Sequence, residues 1–194
     1  MLKKTKKNML ISTFFIAFLV LFDQITKYIA VYFLKDKPAI PIIKDVFELQ
    51  YLENRSAAFG MDPISFLHNL CSISVFDENP DLFFLFRMGF LVLFTIVILL
   101  CLIVIYLRIP SEQRYRYMNR ILLFFIAGAI GNFIDRVVNQ YVIDFFYFKL
   151  INFPIFNVAD IYVTISAFFM IIFGIFYYKE EDFEVFFPSC LKNK

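Results

Sequence analysis

Three aspartates stand where a hydrophobic sequence should carry none. Asp135 and Asp160 end apolar runs, within Gly128-Ala-Ile-Gly-Asn-Phe-Ile-Asp-Arg136 and Phe156-Asn-Val-Ala-Asp160, and Asp144 lies between them in Val142-Ile-Asp-Phe-Phe146. An ionisable group at membrane depth is costly and by default marks a functional site. Two carboxylates in a water-poor site can share one proton, because like charges a few ångströms apart cannot both ionise. The ionised member then takes a proton from water while the protonated one polarises a carbonyl. That chemistry needs neither a metal nor a nucleophilic side chain.

Three aspartates compete for two places. Asp160 opens a helical segment just after Asn157, and the plain alternative is that both only cap that helix. Asp135 is followed by Arg136, a cation that would hold it ionised and could fix it structurally. Asp144 has only Val142, Ile143, Phe145 and Phe146 beside it in sequence, so burial there would raise its pKa and suit a shared proton. On this chemistry Asp144 with Asp160 is the preferred pair and Asp135 the supporting carboxylate. Asp23 and Lys27 are spaced i, i+4 and share a helical face, which suits either a neutralising ion pair or direct substrate contact. Asn54, Asn132 and Asn157 are amides able to orient carboxylates or bind a peptide backbone, and each needs a partner at membrane depth.

The elements that must carry these groups are membrane spans. The 194 residues are 61% hydrophobic, include 29 Phe and have a mean hydropathy of +0.72, far from the soluble average. Four segments, at about 9–34, 82–107, 117–134 and 157–178, are long enough to cross a hydrocarbon core of about 30 Å. The first follows Lys3, Lys4, Lys6 and Lys7 like a signal peptide. It shows no small-x-small cleavage site and continues through Asp23 to Tyr32, so it reads as a retained helix. The expected fold is an all-α polytopic membrane protein, a single membrane domain over 1–194, with four transmembrane helices and a small outward-facing β/loop element.

Basic residues set the orientation. The N-terminal lysines, the 108–116 loop with Arg108, Arg114 and Arg116, and Lys179 belong on the cytoplasmic side, with both termini. Segments 35–81 and 136–156 then face outward. At about 1.5 Å per residue, Asp23 lies about 24 Å beyond Lys7, Asp135 about 22 Å beyond Arg120, and Asp160 about 28 Å from Lys179. Three separate helices thus deliver carboxylates to one outer layer. Outside it, Val46-Phe-Glu-Leu-Gln-Tyr51 alternates like a half-buried strand, and the small-residue stretch 54–60 follows it. Residues 61–81 form a polar, turn-rich insertion.

Other classes are disfavoured. A net charge of +2 suggests no nucleic-acid partner. Cys71, Cys101 and Cys190 show no pairing or metal spacing, and His68 is the only histidine, so neither a metal nor a cofactor is expected.

In its order of motifs the chain resembles the lipoprotein signal peptidase (signal peptidase II) family. The resemblance rests on Asp23-Gln24 with Lys27, Asn54 with Ala57-Ala58-Phe59, and Gly128 with Gly131-Asn132 and Asp135-Arg136. It continues through Val142-Ile-Asp144-Phe145 to Phe156-Asn157 with Ala159-Asp160. The family is a bacterial inner-membrane aspartic endopeptidase that cuts prolipoprotein signal peptides just before a diacylglyceryl-modified cysteine. The resemblance implies a dyad of Asp144 and Asp160. It implies supporting or substrate-binding roles for Asp23, Lys27, Asn54, Gly128, Asn132, Asp135, Arg136, Asn157 and Ala159. The implied partners are prolipoproteins bearing a diacylglyceryl cysteine and membrane lipid, with the enzyme a monomer. Two departures stand out: Ser56 replaces a family Gly, and the 61–81 insertion is long. The rival from another class is a proton-coupled membrane transporter, since a proton relay needs the same residue types. Against it, the carboxylates gather at one depth and no inverted repeat is present. A third reading, an assembly protein whose polar residues glue helices together, competes less well.

Overall fold

The computed structural model describes residues 4–56 and 79–186. His68, Cys71, Cys190, the Ala57-Ala58-Phe59 motif and most of the 61–81 insertion lie outside them. Among the described residues four helices are long and apolar enough to cross a membrane: α1 (Lys6–Leu34), α2 (Pro80–Arg108), α3 (Arg116–Val138) and α4 (Val158–Phe176). A short α5 (Glu180–Phe186) follows. Strands β1 (Ile40–Ile43), β2 (Phe47–Asn54) and β3 (Val142–Tyr147) form an antiparallel sheet in that order.

Local chemistry explains the helix ends. Thr5 caps α1 by accepting from the Asn8 N–H at 3.2 Å, filling one of the first-turn donors. Pro80 opens α2, where its missing N–H costs nothing. That helix stops at Ile109, whose extended backbone is what a residue before proline adopts. No glycine or proline interrupts α3 after Gly131, so it runs on to Val138, past the expected end at 134. Asp135 and Arg136 therefore sit in its last turn and not in an outward loop. Gln140, at φ 63°, turns the chain into β3.

Helix α3 is the axis of the bundle. Eleven of its 23 residues are buried, against five of the 29 in α1. The other helices present large side chains such as Phe14, Phe18, Leu100 and Phe176 outwards, as a helix in hydrocarbon should. Small residues let α3 approach α4. A Cβ on Gly128 would lie 2.5 Å from the Ala159 carbonyl oxygen, and one on Gly131 would lie 2.6 Å from Asp23 Oδ2.

Apolar packing lies on both sides of a polar layer. One cluster gathers Tyr106, Tyr115, Leu122, Ile126 and Tyr178, with Phe15 and Ile16 of α1 against it. The other joins Ala30 and Leu34 of α1 to Ile143, Phe145 and Val158. Asp23 and Lys27 fall between these two stretches of α1, so the polar groups form a layer between the two apolar clusters.

The sheet does two jobs for that layer. β2 extends to Asn54, so this asparagine ends a strand and does not begin a loop. Its register pairs Leu52 with Asp144 and Asn54 with Val142. Residues two apart on a strand share a face, so Asn54 and Asp144 are diagonal neighbours. Phe156 then bridges β3: its carbonyl accepts from Phe145 N (3.0 Å) and Phe146 N (2.8 Å), and its N–H donates to the Phe146 carbonyl (3.0 Å). That bridge carries Asn157 to the start of α4, beside Asp144.

Candidate active site

The polar layer resolves into two carboxylate environments. In the first, Lys27 is the hub. Its ammonium lies 2.9 Å from Asp23 Oδ2, 2.9 Å from Asp135 Oδ2 and 3.0 Å from Asn132 Oδ1, which uses all three of its hydrogens. Asp23 and Lys27 are 0% and 1% exposed, and Asp135 is 1% exposed. The remaining oxygens are committed as well. Asp23 Oδ1 accepts from Ala159 N at 2.9 Å, Asp135 Oδ2 also accepts from Ile143 N at 3.1 Å, and Asp135 Oδ1 accepts from Gln24 Nε2 at 3.2 Å. Asp23 and Lys27 thus form a closed ion pair inside the bundle, the first of the two readings left open for them. Asp135 is a brace between α1, α3 and β3.

In the second environment the carboxylates accept, among the described residues, from neutral amides. Asp144 accepts from Asn54 Nδ2 at 2.8 Å and from Asn157 Nδ2 at 2.6 Å. Asp160 accepts from Asn132 Nδ2 at 2.7 Å and from the Asn157 backbone N–H at 3.1 Å. A fixed donor behind each amide dictates which way it points. Ser56 N donates to Asn54 Oδ1 (2.8 Å), Lys27 to Asn132 Oδ1 (3.0 Å), and Asp160 N to Asn157 Oδ1 (2.9 Å). Each side-chain oxygen is therefore occupied, and each NH2 must face an aspartate. The second hydrogen of Asn157 Nδ2 reaches Asn132 Oδ1 at 3.1 Å, which ties the two amides together.

Capping and site-building are not alternatives here. Asn157 and Asp160 form a reciprocal capping box on α4, and the same two side chains also join the amide–carboxylate network. The apolar sequence neighbours of Asp144 misrepresent its surroundings, because β3 directs its carboxyl to amides on β2 and before α4. Its pKa nonetheless rises. Burial pushes the Asp144 carboxyl up to about 7, the charge of Asp160 adds to the rise, and the Asn54 and Asn157 hydrogen bonds oppose it. Arg136 is half-buried, and its charge bears on Asp160, Asp144 and Asp135.

Gln24 was quoted above only as part of a motif, yet its amide is a junction. It donates toward Asp23 Oδ2, the Gly131 carbonyl and Asp135 Oδ1, each at 3.2 Å. The signal was available: a polar residue on a lipid-facing helix must find partners within the protein. Ile143 N and Ser56 N also act through the backbone, which no side-chain pattern reports. Ser56, in place of a family glycine, is not among the residues at positive φ, so its side chain imposes no backbone strain.

The family model for signal peptidase (SPase) II matches residues 15–176. The chain belongs to the signal peptidase II family. Among its relatives is the lipoprotein signal peptidase of Caldanaerobacter subterraneus subsp. tengcongensis, 39% identical, covering 78% of this chain and 87% of that protein. Those of Brevibacillus brevis and Clostridium tetani are each 35% identical, covering 78% and 85% of this chain and 85% and 90% of theirs. A bacterial membrane enzyme solved by the in meso method at 2.3 Å superposes with a TM-score of 0.62. It is 27% identical, covering 100% of this chain and 98% of its own. A second, at 1.9 Å, gives 0.62 at 28% identity, covering 92% and 99%. Signal peptidase II enzymes are aspartic-type proteases that release signal peptides from lipoprotein precursors, and the four span-length helices together with the membrane-enzyme family fit a multi-pass protein of the bacterial inner membrane.

Proposed function

We propose that Asp144 and Asp160 are the proton-sharing pair that cuts the signal peptide of a diacylglyceryl-modified prolipoprotein, just before the lipidated cysteine. The observation that carries this reading is the contrast between the two carboxylate environments. Asp23 and Asp135 are each ion-paired with Lys27, whereas among the described residues Asp144 and Asp160 accept hydrogen bonds from amides only. Amides position a carboxylate without the paired cation that Asp23 and Asp135 have, and burial with the like charge of Asp160 raises Asp144 against its hydrogen bonds and the more distant Lys27 charge, so one proton stays between them. The ionised member removes a proton from water as that water attacks the scissile carbonyl carbon. The protonated member gives its proton to the carbonyl oxygen. When the tetrahedral adduct collapses, the C–N bond breaks and the leaving nitrogen takes a proton from the pair.

The scissile bond sits near the outer leaflet surface, because a lipidated cysteine keeps its acyl chains there. Both termini and the turn between α2 and α3 are cytoplasmic, as the distribution of Lys and Arg favours. The signal peptide lies as a helix beside the bundle and unwinds near the cut, with the end of β2 and the residues after it holding its backbone. The enzyme works as a monomer, and the diacylglyceryl chains stay in membrane lipid. The test incubates purified protein with a diacylglyceryl-modified prolipoprotein and follows signal-peptide release on a gel. Wild type should release it, while Asp144→Asn and Asp160→Asn should remain folded and release none. An active Asp144→Asn beside a dead, folded Asp135→Asn would move the pair to Asp135.

A further inference from the structure

At the opposite end of the bundle from Asp144, a cavity of about 330 Å³ opens among the start of α1, the end of α2 and the start of α3. Its charged lining residues are Lys4, Arg116, Arg120 and Glu112, three cations against one carboxylate. Lys4 is half-buried. Its ammonium donates to the Tyr106 carbonyl oxygen and lies 3.3 Å over the Tyr106 ring centroid. No carboxylate reaches it among the described residues, and burial alone pushes the amine down to about 8. A cation kept from water without a counter-ion gains from a bound anion. Arg116 and Arg120 lie four residues apart on α3, so both present their charge on one face of the helix.

A second observation adds a different requirement. Asn119 also lines this cavity. Its Nδ2 donates to the Pro110 carbonyl at 2.9 Å, which leaves Oδ1 as the free end of the amide. That oxygen is buried and has no hydrogen-bond partner among the described residues. A buried acceptor without a donor is costly, so an occupant that brings an O–H or N–H answers it. The cavity therefore suits a ligand with a negative phosphate for the three cations and a hydrogen-bond donor for Asn119. Its place where three spans begin or end is headgroup depth.

We propose that this cavity binds the phosphodiester headgroup of a membrane glycerophospholipid whose headgroup carries an O–H or N–H donor, as glycerol and ethanolamine do. Lys4, Arg116 and Arg120 face the phosphate, and Asn119 Oδ1 accepts from the headgroup. Lipid bound here ties the first residues before α1 to the turn between α2 and α3.

The test titrates the purified full chain in detergent, by native mass spectrometry, with phosphatidylglycerol, phosphatidylethanolamine, phosphatidylcholine and soluble glycerol phosphate. The first two should bind about tenfold more tightly than phosphatidylcholine, whose headgroup has the phosphate but no donor. Arg116→Gln/Arg120→Gln should weaken phosphatidylglycerol binding about 30-fold and leave basal cleavage in detergent unchanged. Asn119→Leu should abolish the preference over phosphatidylcholine without removing a charge. If the double variant does not fold, Lys4→Gln, which lies outside every helix, should still weaken binding about fivefold. Equal binding of phosphatidylcholine by wild type, or unaltered phosphatidylglycerol binding in the charge variants, overturns the proposal. Equal binding of glycerol phosphate overturns the lipid source and makes a soluble phosphoester the ligand.

Discussion

Asp135→Asn and Asp144→Asn are the same chemical change, made two strands of a hydrogen-bond network apart, and they should have opposite signatures. Asp135 Oδ2 takes both the Lys27 ammonium at 2.9 Å and the Ile143 N–H at 3.1 Å. Removing one partner of a buried ion pair costs roughly 3–5 kcal/mol. Lys27 keeps Asp23 at 2.9 Å and Asn132 at 3.0 Å, so Asp135→Asn belongs at the lower end, about 3 kcal/mol. At Asp144 no cation is lost. The substitution sets one amide NH2 against a donor, either Asn54 or Asn157, at about 1–3 kcal/mol. It also removes the cost of holding a carboxylate whose pKa is raised from 3.8 to about 7, an upper bound of about 4 kcal/mol at neutral pH. Together these terms leave Asp144→Asn between neutral and about 3 kcal/mol more stable than wild type. Unfolding of each purified variant by titration with SDS, followed by far-UV circular dichroism, gives the stabilities, and the gel assay gives the turnover. The expected result is a destabilised Asp135→Asn and an inactive Asp144→Asn at least as stable as wild type. An Asp135→Asn protein within about 1 kcal/mol of wild type would refute the brace, and with it the division of the carboxylates into two environments.

Further predictions follow from the same geometry. Cleavage at saturating substrate should fall as pH rises through about 7, since Asp144 is held up to that value and the pair then loses its last proton. For the same reason the contribution of Asp144 to stability should be greatest below the ordinary carboxylate range and be lost as pH climbs toward 7, because a raised folded pKa favours the protonated state; the difference in stability between wild type and Asp144→Asn across that range checks the assignment. Gly128→Ala places a Cβ 2.5 Å from the Ala159 carbonyl and should force α3 and α4 apart, costing about 1–3 kcal/mol and lowering turnover through the displaced Asp160, measured by the same two assays. Reporter fusions at Arg114 and the C-terminus should read as cytoplasmic, and fusions near His68 and Tyr147 as external; an external Arg114 would overturn the orientation.

Much of this molecule was legible without coordinates. Four apolar segments of bilayer length admit few folds other than a helical membrane bundle, because backbone in hydrocarbon must satisfy its own hydrogen bonds. The cost of a buried charge made Asp135, Asp144 and Asp160 stand out, and the i, i+4 spacing of Asp23 and Lys27 put them on one helical face but left an ion pair and substrate contact equally open. Helix ends were less legible. Charged residues at 135 and 136 suggested that α3 was over, but a helix ends where its backbone is interrupted or recapped, and Gln140 does that. Only the tertiary structure separated the carboxylates by environment. Sequence neighbours suggested that Arg136 pairs with Asp135 and that Asp144 sits in an apolar pocket. In space Asp135 belongs to Lys27, from a helix more than a hundred residues earlier, and Asp144 belongs to Asn54 and Asn157. Hydrogen bonds extend only about 3 Å, so a side chain's partners are set by which strands and helices touch. The order of residues along the chain determines which chemical groups are present, and the packing of α1, α3, α4 and the sheet decides which of them meet.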